Sequence, residues 1–254
     1  LVDGLVRDGL ANVYDGVAMG CFADATAKKY DISREEQDRF AIQSYNRSAS
    51  SWEAGIFKDE VSGVSVTDRK GNVTTIDTDQ EYKNVIFEKI PSLRAVFTKD
   101  GTVTAANAST INDGAAAVIL VSEDALKKYN LKPLAKIISY ADAAQDPEWF
   151  TTAPVKAAEK ALKKSGLTLQ DMDLFEVNEA FAVVTLAFIK QLGLDEDKVN
   201  VHGGAVSLGH PLGCSGARIV VTLLNALHKK NGKYGLAAIC NGGGGASAMI
   251  IEAM

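Results

Sequence analysis

Three short stretches of the sequence set reactive side chains among residues that constrain the backbone. One is Ile239-Cys240-Asn241-Gly242-Gly243-Gly244-Gly245-Ala246-Ser247. A cysteine that ends an apolar run and precedes four glycines has two readings: a small core residue beside a turn, or a reactive thiol. In the second reading it faces backbone N–H groups that lower a thiol's pKa and can bind an oxyanion. The second stretch runs from Gly203 to Arg218 and contains Gly209-His210-Pro211-Leu212-Gly213. Glycines and Pro211 force the chain along a narrow path that ends at the start of an expected helix, a ready place for negative charge. A histidine fixed in such a loop points to function, because rigid scaffolds carry their chemistry on loops. His202 and His228 lack that setting and read as structural. The third stretch, Glu176-Val177-Asn178-Glu179-Ala180-Phe181-Ala182, falls where an expected strand turns into an apolar helix. Asn178 there either caps the helix or faces a site at the strand's carboxyl end.

Other chemistries find no template. The chain has no GxGxxG, no P-loop, no HExxH and no EF-hand, and Ser215 misses the GxSxG spacing of a nucleophile elbow. Cys21, Cys214 and Cys240 are too few, and too far apart, for a disulfide framework or a zinc site, which implies a reducing compartment.

The elements that must position these groups are legible in outline. The 254 residues are 46% hydrophobic, 23% charged and 7% aromatic, the balance of a globular chain. A net charge of −5 argues against a nucleic-acid partner, and no apolar stretch reaches the roughly 18 residues of a membrane span. Ser33 and Glu36 form a capping box ahead of a helix that ends before Gly55. Val61–Thr67 and Val73–Ile76 read as a hairpin, and a charged stretch follows to Thr98. Beyond that, Ala116–Val121, Pro133–Tyr140, Met172–Val177 and Leu236–Cys240 read as buried strands. Pro154–Ser165, Glu179–Leu192 and Ser215–Lys230 read as helices stopped at Gly166, Gly193 and Gly232. Strands alternating with helices predict a layered α/β domain.

The three stretches, in this order, resemble the late motifs of the thiolase family: Asn178-Glu-Ala-Phe-Ala182, Gly203–Arg218 and Cys240-Asn-Gly-Gly-Gly-Gly245. Thr104–Ala117 resembles that family's segment leading back from its inserted loop domain, and the likeness extends over essentially the whole chain. It implies an α/β fold of helices packed on mixed sheets. Residues 1–30 would end an N-terminal half-domain, 31–115 form the loop domain that binds coenzyme A, and 116–254 form the C-terminal half-domain. The family's acyl-accepting cysteine has no matching motif: Cys21 lies in Ala-Met-Gly-Cys-Phe and Cys214 lies inside the His210 loop, where small residues are usual. With Leu1 in place of Met, that predicts a thiolase-like chain lacking most of its N-terminal half-domain. Ala18 also stands where the family often has a histidine, just before Met19-Gly20.

The resemblance implies Claisen condensation of two acetyl-CoA to acetoacetyl-CoA and CoA, and the reverse thiolysis. Cys240 would be the acid/base thiol, and His210 the imidazole that activates the nucleophile and donates to the thioester oxygen. Asn178 would hold a water in that oxyanion hole, and the N–H of Gly242 would form part of a second. Ser109 would bond the pantetheine chain, Met19 would cover the substrate, and basic residues of 31–100 would meet the nucleotide phosphates. No cofactor is covalently bound in this reading, though K⁺ is implied beside Tyr45, Ala105, Ala106, Ala108 and Val206. The partners implied are acetyl-CoA, acetoacetyl-CoA, CoA and further copies of the chain in a homodimer or homotetramer, with neither nucleic acid nor membrane. The cytoplasm is the default compartment, with mitochondria left open. Two alternatives remain: a degradative 3-ketoacyl-CoA thiolase of broader chain length, or a non-catalytic CoA-binding fragment.

Overall fold

The computed structural model describes residues 1–254. Four strands form one mixed sheet in the order β3 (Ala135–Ala144), β6 (Gly245–Ala253), β5 (Tyr234–Asn241), β4 (Leu174–Val177). β6 runs antiparallel to both of its neighbours, whereas β4 and β5 are parallel, so the carboxyl ends of β4 and β5 lie side by side. A separate exposed hairpin pairs β1 (Val64–Thr67) with β2 (Val73–Ile76), as the alternation predicts.

The two faces of the sheet take one helix each. On one face, α4 (Ala153–Ser165) sets Val155, Ala158 and Leu162 against Phe175, Leu236, Ala238 and Ile250. On the other, α7 (Ser215–Lys230) sets Ile219, Leu223 and Leu227 against Leu174, Ala237 and Ile251. Successive strand residues thus divide between the faces, as pleating requires. Beyond this lies α5 (Ala182–Leu192), buried from Ala182 to Phe188 and exposed only in its last turn, at Lys190 and Gln191. Val183, Leu186 and Ala187 meet Ala23 and Ala27 of α1 (Met19–Lys29) and Phe40, Ala41 and Tyr45 of α2 (Arg34–Glu53). Ser33 caps α2 as expected: its Oγ accepts from Glu36 N at 3.1 Å, and its own N–H donates to Glu36 Oε2 at 2.6 Å. Short helices α3 (Glu123–Tyr129) and α6 (Ala205–Leu208) complete the set. No helix is long and apolar enough to cross a membrane.

Three expectations are corrected. Ala116–Val121 is not a strand: it pairs with nothing and its side chains face outward, Ile119 being 91% exposed and Leu120 72%. Apolar composition supplies the side chains of a strand but not the neighbouring N–H and C=O groups that make one, and the sheet's edges, β3 and β4, do not pair with this run. The helix expected from Glu179 begins at Ala182, because residues 178–181 run on from β4 without coiling. α7, by contrast, spans Ser215–Lys230 as expected, with Asn231, just before Gly232, taking the left-handed conformation that asparagine also tolerates. Strand β6 has no counterpart among the expected strands: the glycines that read as a site also form the turn of a β5–β6 hairpin.

His202 is structural. It is 5% exposed, its Nδ1 lies 3.0 Å from Ser51 Oγ, and its ring meets Phe57 edge-on. Burial, then repulsion from Lys230 and Arg47, pushes its pKa down to about 4. The unfolded chain therefore takes up the proton first, near the ordinary value, and the folded chain only near 4. Wild type should lose stability relative to His202→Asn as pH falls from 6.5 to 4, by about 1.4 kcal/mol per unit. Urea unfolding of both proteins across that range checks it; parallel pH curves would contradict a buried neutral imidazole.

Candidate active site

The carboxyl ends of β4 and β5 gather the reactive groups. Val177 is opposite Ala238, and the N–H of Asn178 donates to Ala238 O at 2.9 Å, so the ladder continues one residue past β4. That sets Asn178, fully buried, beside the last residues of β5 that lead to Cys240. The capping alternative for Asn178 falls: the N-cap of α5 is Phe181, and no side chain caps it. Instead Asn178 Nδ2 lies 3.3 Å from His210 Nε2, and Asn178 Oδ1 is buried without a partner.

The path of the His210 loop is fixed from both sides. Gly209 has φ +94°, and a Cβ there would run into the Asn112 side chain. The N–H of His210 donates to Thr110 O at 2.9 Å, so the loop is docked on the segment returning from residue 104. His210 Nδ1 lies 2.6 Å from Ser215 Oγ, at the first residue of α7. Burial, and then the nearby Arg218 charge, push the His210 pKa down to about 4, so the ring is neutral at pH 7.

Cys240 is 8% exposed and packs with Met19, Phe22, Phe150, Ala180 and Val184. Burial pushes its pKa up to about 12. The glycine turn that follows has φ +80° at Gly243 and +89° at Gly244, and a Cβ on Gly244 would overlap Gln145 O. Met19 Cε sits 3.9 Å from where a Cβ on Gly242 would be, so Met19 borders both the thiol and the turn. Ser109 is tied to the same region: its Oγ donates to Ala180 O at 2.9 Å and its N–H at 3.1 Å. Cys214, by contrast, is a buried residue at the N-cap of α7, its pKa raised by burial, and Cys21 lies half-buried on α1.

Among the residues expected around a cation, Tyr45, Val206 and Ala108 meet in one buried cluster. Ala105 and Ala106 lie in the turn at 104–107, Ala105 exposed and Ala106 buried. Burial pushes the Tyr45 phenol up to about 12, so it could serve only as a neutral oxygen ligand at pH 7. No cluster of three or more His, Cys, Asp or Glu side chains could hold a metal ion.

Two supporting residues escaped the sequence reading. Glu179, 1% exposed, accepts from Ser44 Oγ at 2.7 Å, from Val206 N at 3.1 Å and from Asn200 Nδ2 at 2.8 Å. It clasps α2, α6 and the 200–204 turn together beneath the His210 loop. Its signal was a carboxylate inside an otherwise apolar helix approach. Glu176, also 1% exposed, takes Arg218 Nη1 at 2.8 Å, yet burial still pushes it up to about 8.

A buried thiol of high pKa and a neutral imidazole, with an amide donor at its Nε2 edge, suit proton transfer at carbon and stabilisation of an enolate oxygen. The family model "Thiolase, N-terminal domain" matches residues 1–124 and "Thiolase, C-terminal domain" matches 131–253. The mitochondrial acetyl-CoA acetyltransferase of Bos taurus is 57% identical over 253 residues, covering 99% of this chain and 60% of that protein. The crystal structure of Acat5 thiolase from Ascaris suum in complex with coenzyme A superposes with a TM-score of 0.91 at 48% identity, covering 100% of this chain and 65% of that one. Human mitochondrial 3-ketoacyl-CoA thiolase superposes with a TM-score of 0.94 at 45% identity, covering 99% and 63%. The chain belongs to the thiolase family. It spans about three fifths of the length of the curated relatives it matches.

Proposed function

We propose that this chain carries the acid/base and oxyanion machinery of an acetyl-CoA C-acetyltransferase, which condenses two acetyl-CoA to acetoacetyl-CoA and CoA and runs the thiolysis in reverse. The supporting observation is the contact of Asn178 with His210 at the carboxyl end of β4, beside the parallel strand β5 that leads to Cys240.

In this reading an acetyl group first passes to a cysteine thiol. His210 Nε2 takes that thiol's proton, and Cys240 gives its own proton to the departing CoA sulfur. The Cys240 thiolate left behind is a strong base, because the burial that disfavours it raises its proton affinity. It removes a proton from the methyl carbon of the second acetyl-CoA. His210, now protonated at Nε2, and a water held by Asn178 stabilise the enolate oxygen. The carbanion attacks the acetyl thioester, the tetrahedral oxyanion faces the N–H of Gly242, and the cysteine leaves as thiolate. The accepting cysteine is none of Cys21, Cys214 and Cys240. Cys240 holds the base role, Cys214 is packed at a helix cap, and Cys21 sits on α1.

Residues 31–115 would supply the coenzyme A contacts, with Ser109 on the pantetheine chain and Met19 over the substrate. Tyr45 and the carbonyls of Ala105, Ala106, Ala108 and Val206 would hold K⁺, whose positive charge would brace the turn at 104–107. The neutral phenol and carbonyl donors suit a hard monovalent cation. The chain would act as a homodimer or homotetramer in the cytoplasm or, like the bovine relative's name, in mitochondria.

Thiolysis of acetoacetyl-CoA by the intact protein, followed at the loss of its enolate absorbance, tests the reaction. Preference for 3-ketohexadecanoyl-CoA would favour the degradative reading that the human structural relative suggests. Peptide mapping after incubation with acetyl-CoA tests the cysteine assignment: an acetyl thioester on Cys21 or Cys214 would overturn it.

A further inference from the structure

His210 has two ring nitrogens, and the groups around the ring decide which one carries the proton. Asn178 Nδ2 can only donate, so His210 Nε2, 3.3 Å away, accepts. A neutral imidazole that accepts at Nε2 holds its proton on Nδ1. That N–H points at Ser215 Oγ, 2.6 Å away. Ser215 has a single hydroxyl proton, and it goes to Pro211 O at 3.0 Å. Each donor in this chain thus meets an acceptor.

We propose that Ser215 is a positioning residue that holds His210 as the Nδ1–H tautomer, so that the bare Nε2 faces the site.

Ser215 is suited to this by its placement. It is 1% exposed and opens α7, and its own N–H donates to Pro211 O at 2.9 Å. Pro211 and the helix start thereby fix the hydroxyl relative to the ring five residues earlier. The proposal deepens the function proposed above and rests on it only for its kinetic consequence. There, the S–H bond of the accepting cysteine breaks, its electron pair stays on sulfur, and the proton forms an N–H bond at Nε2. The ring then carries two N–H groups, with Nδ1–H still donated to Ser215 and Nε2–H free to meet a thioester oxygen. Had the ring started as Nε2–H, it could not accept that proton on the side facing the site.

The test is a long-range ¹H–¹⁵N spectrum of the intact protein labelled at histidine, recorded at pH 7. Nδ1–H with a bare Nε2 is expected for His210; Nε2–H in the wild-type protein would overturn the proposal whatever the enzyme's activity. Ser215→Ala should release the tautomer toward Nε2–H and lower kcat by about 10- to 100-fold, the scale of a misoriented catalytic group. KM for CoA should stay within about 2-fold. Ser215→Thr, which keeps the hydroxyl, should restore the Nδ1–H spectrum and most of kcat. An Ala variant that keeps both the wild-type tautomer and wild-type kcat would also overturn it. Should Ser215→Ala fail to fold, the wild-type spectrum still decides. A wild-type protein with the expected tautomer but no thiolysis would refute the functional reading and leave this one standing.

Discussion

In a longer protein that carries the accepting cysteine, Cys240→Ser is expected to stop proton exchange at the methyl group of acetyl-CoA while that cysteine still acquires its acetyl group. The replacement is nearly isosteric in a site that is 8% exposed, so the packing with Met19, Phe150 and Val184 should survive. What changes is the atom that gives up and regains the proton. A hydroxyl is a far weaker acid than even a thiol pushed up to about 12, and it cannot supply the departing CoA sulfur or return as an anion. Positioned proton transfer is worth about 10²–10⁴-fold, so deuterium incorporation into acetyl-CoA in heavy water should fall by about 10³-fold or more. The intact mass of the acetylated enzyme shows whether the first half-reaction continues. Exchange within about 10-fold of wild type, a difference under 1.4 kcal/mol, would take the acid/base role away from Cys240.

Glu179→Ala should be the most damaging single change to stability among the residues described. It would leave Ser44 Oγ, Val206 N and Asn200 Nδ2 pointing at a void, and each buried donor without a partner costs about 1–3 kcal/mol. Ser44 can fall back on Ser207, 2.9 Å away, so the loss should total about 3–5 kcal/mol rather than the full sum. Glu179→Gln should lie between the two, since its NH₂ would face at least one donor. Urea unfolding monitored by tryptophan fluorescence measures all three proteins. A loss under about 1 kcal/mol for Glu179→Ala would mean that the clasp is not what holds α2, α6 and the 200–204 turn together.

Much of this arrangement could be read from local chemistry. The Ser33–Glu36 box, the β1–β2 hairpin and the stops at Gly166 and Gly193 depend on neighbours a few residues away, and each forms as expected. The His210 loop was legible for the same reason. What failed depended on distant partners. Ala116–Val121 has the composition of a strand, but only a neighbouring ladder could have made it one. Asn178 reads from the sequence as a helix cap or a site residue; the bond from its backbone to Ala238 on β5 and the start of α5 after Phe181 exclude the cap. Glu179 and Ser215 are visible as residues, but their contacts are not. Their partners, Ser44 and the His210 ring, come from another helix and from a loop whose orientation no periodicity encodes.

The β5–β6 hairpin also limits how this family member can vary. Hairpin connections ordinarily absorb insertions and deletions, since an extra residue only lengthens a loop. Here Leu236, Ala238 and Cys240 share one face of β5 while Ala237 and Ile239 share the other, and Cys240 is paired with Ala246 on β6. The turn at Gly242–Gly244 is pressed against Gln145, so a change in its length must be taken up along the strands. A slip of one residue would carry the thiol through the sheet to the α7 side. Substitutions around this turn can therefore be explored one at a time, but its length cannot drift by single residues without moving the Cys240 sulfur to the other face of the sheet.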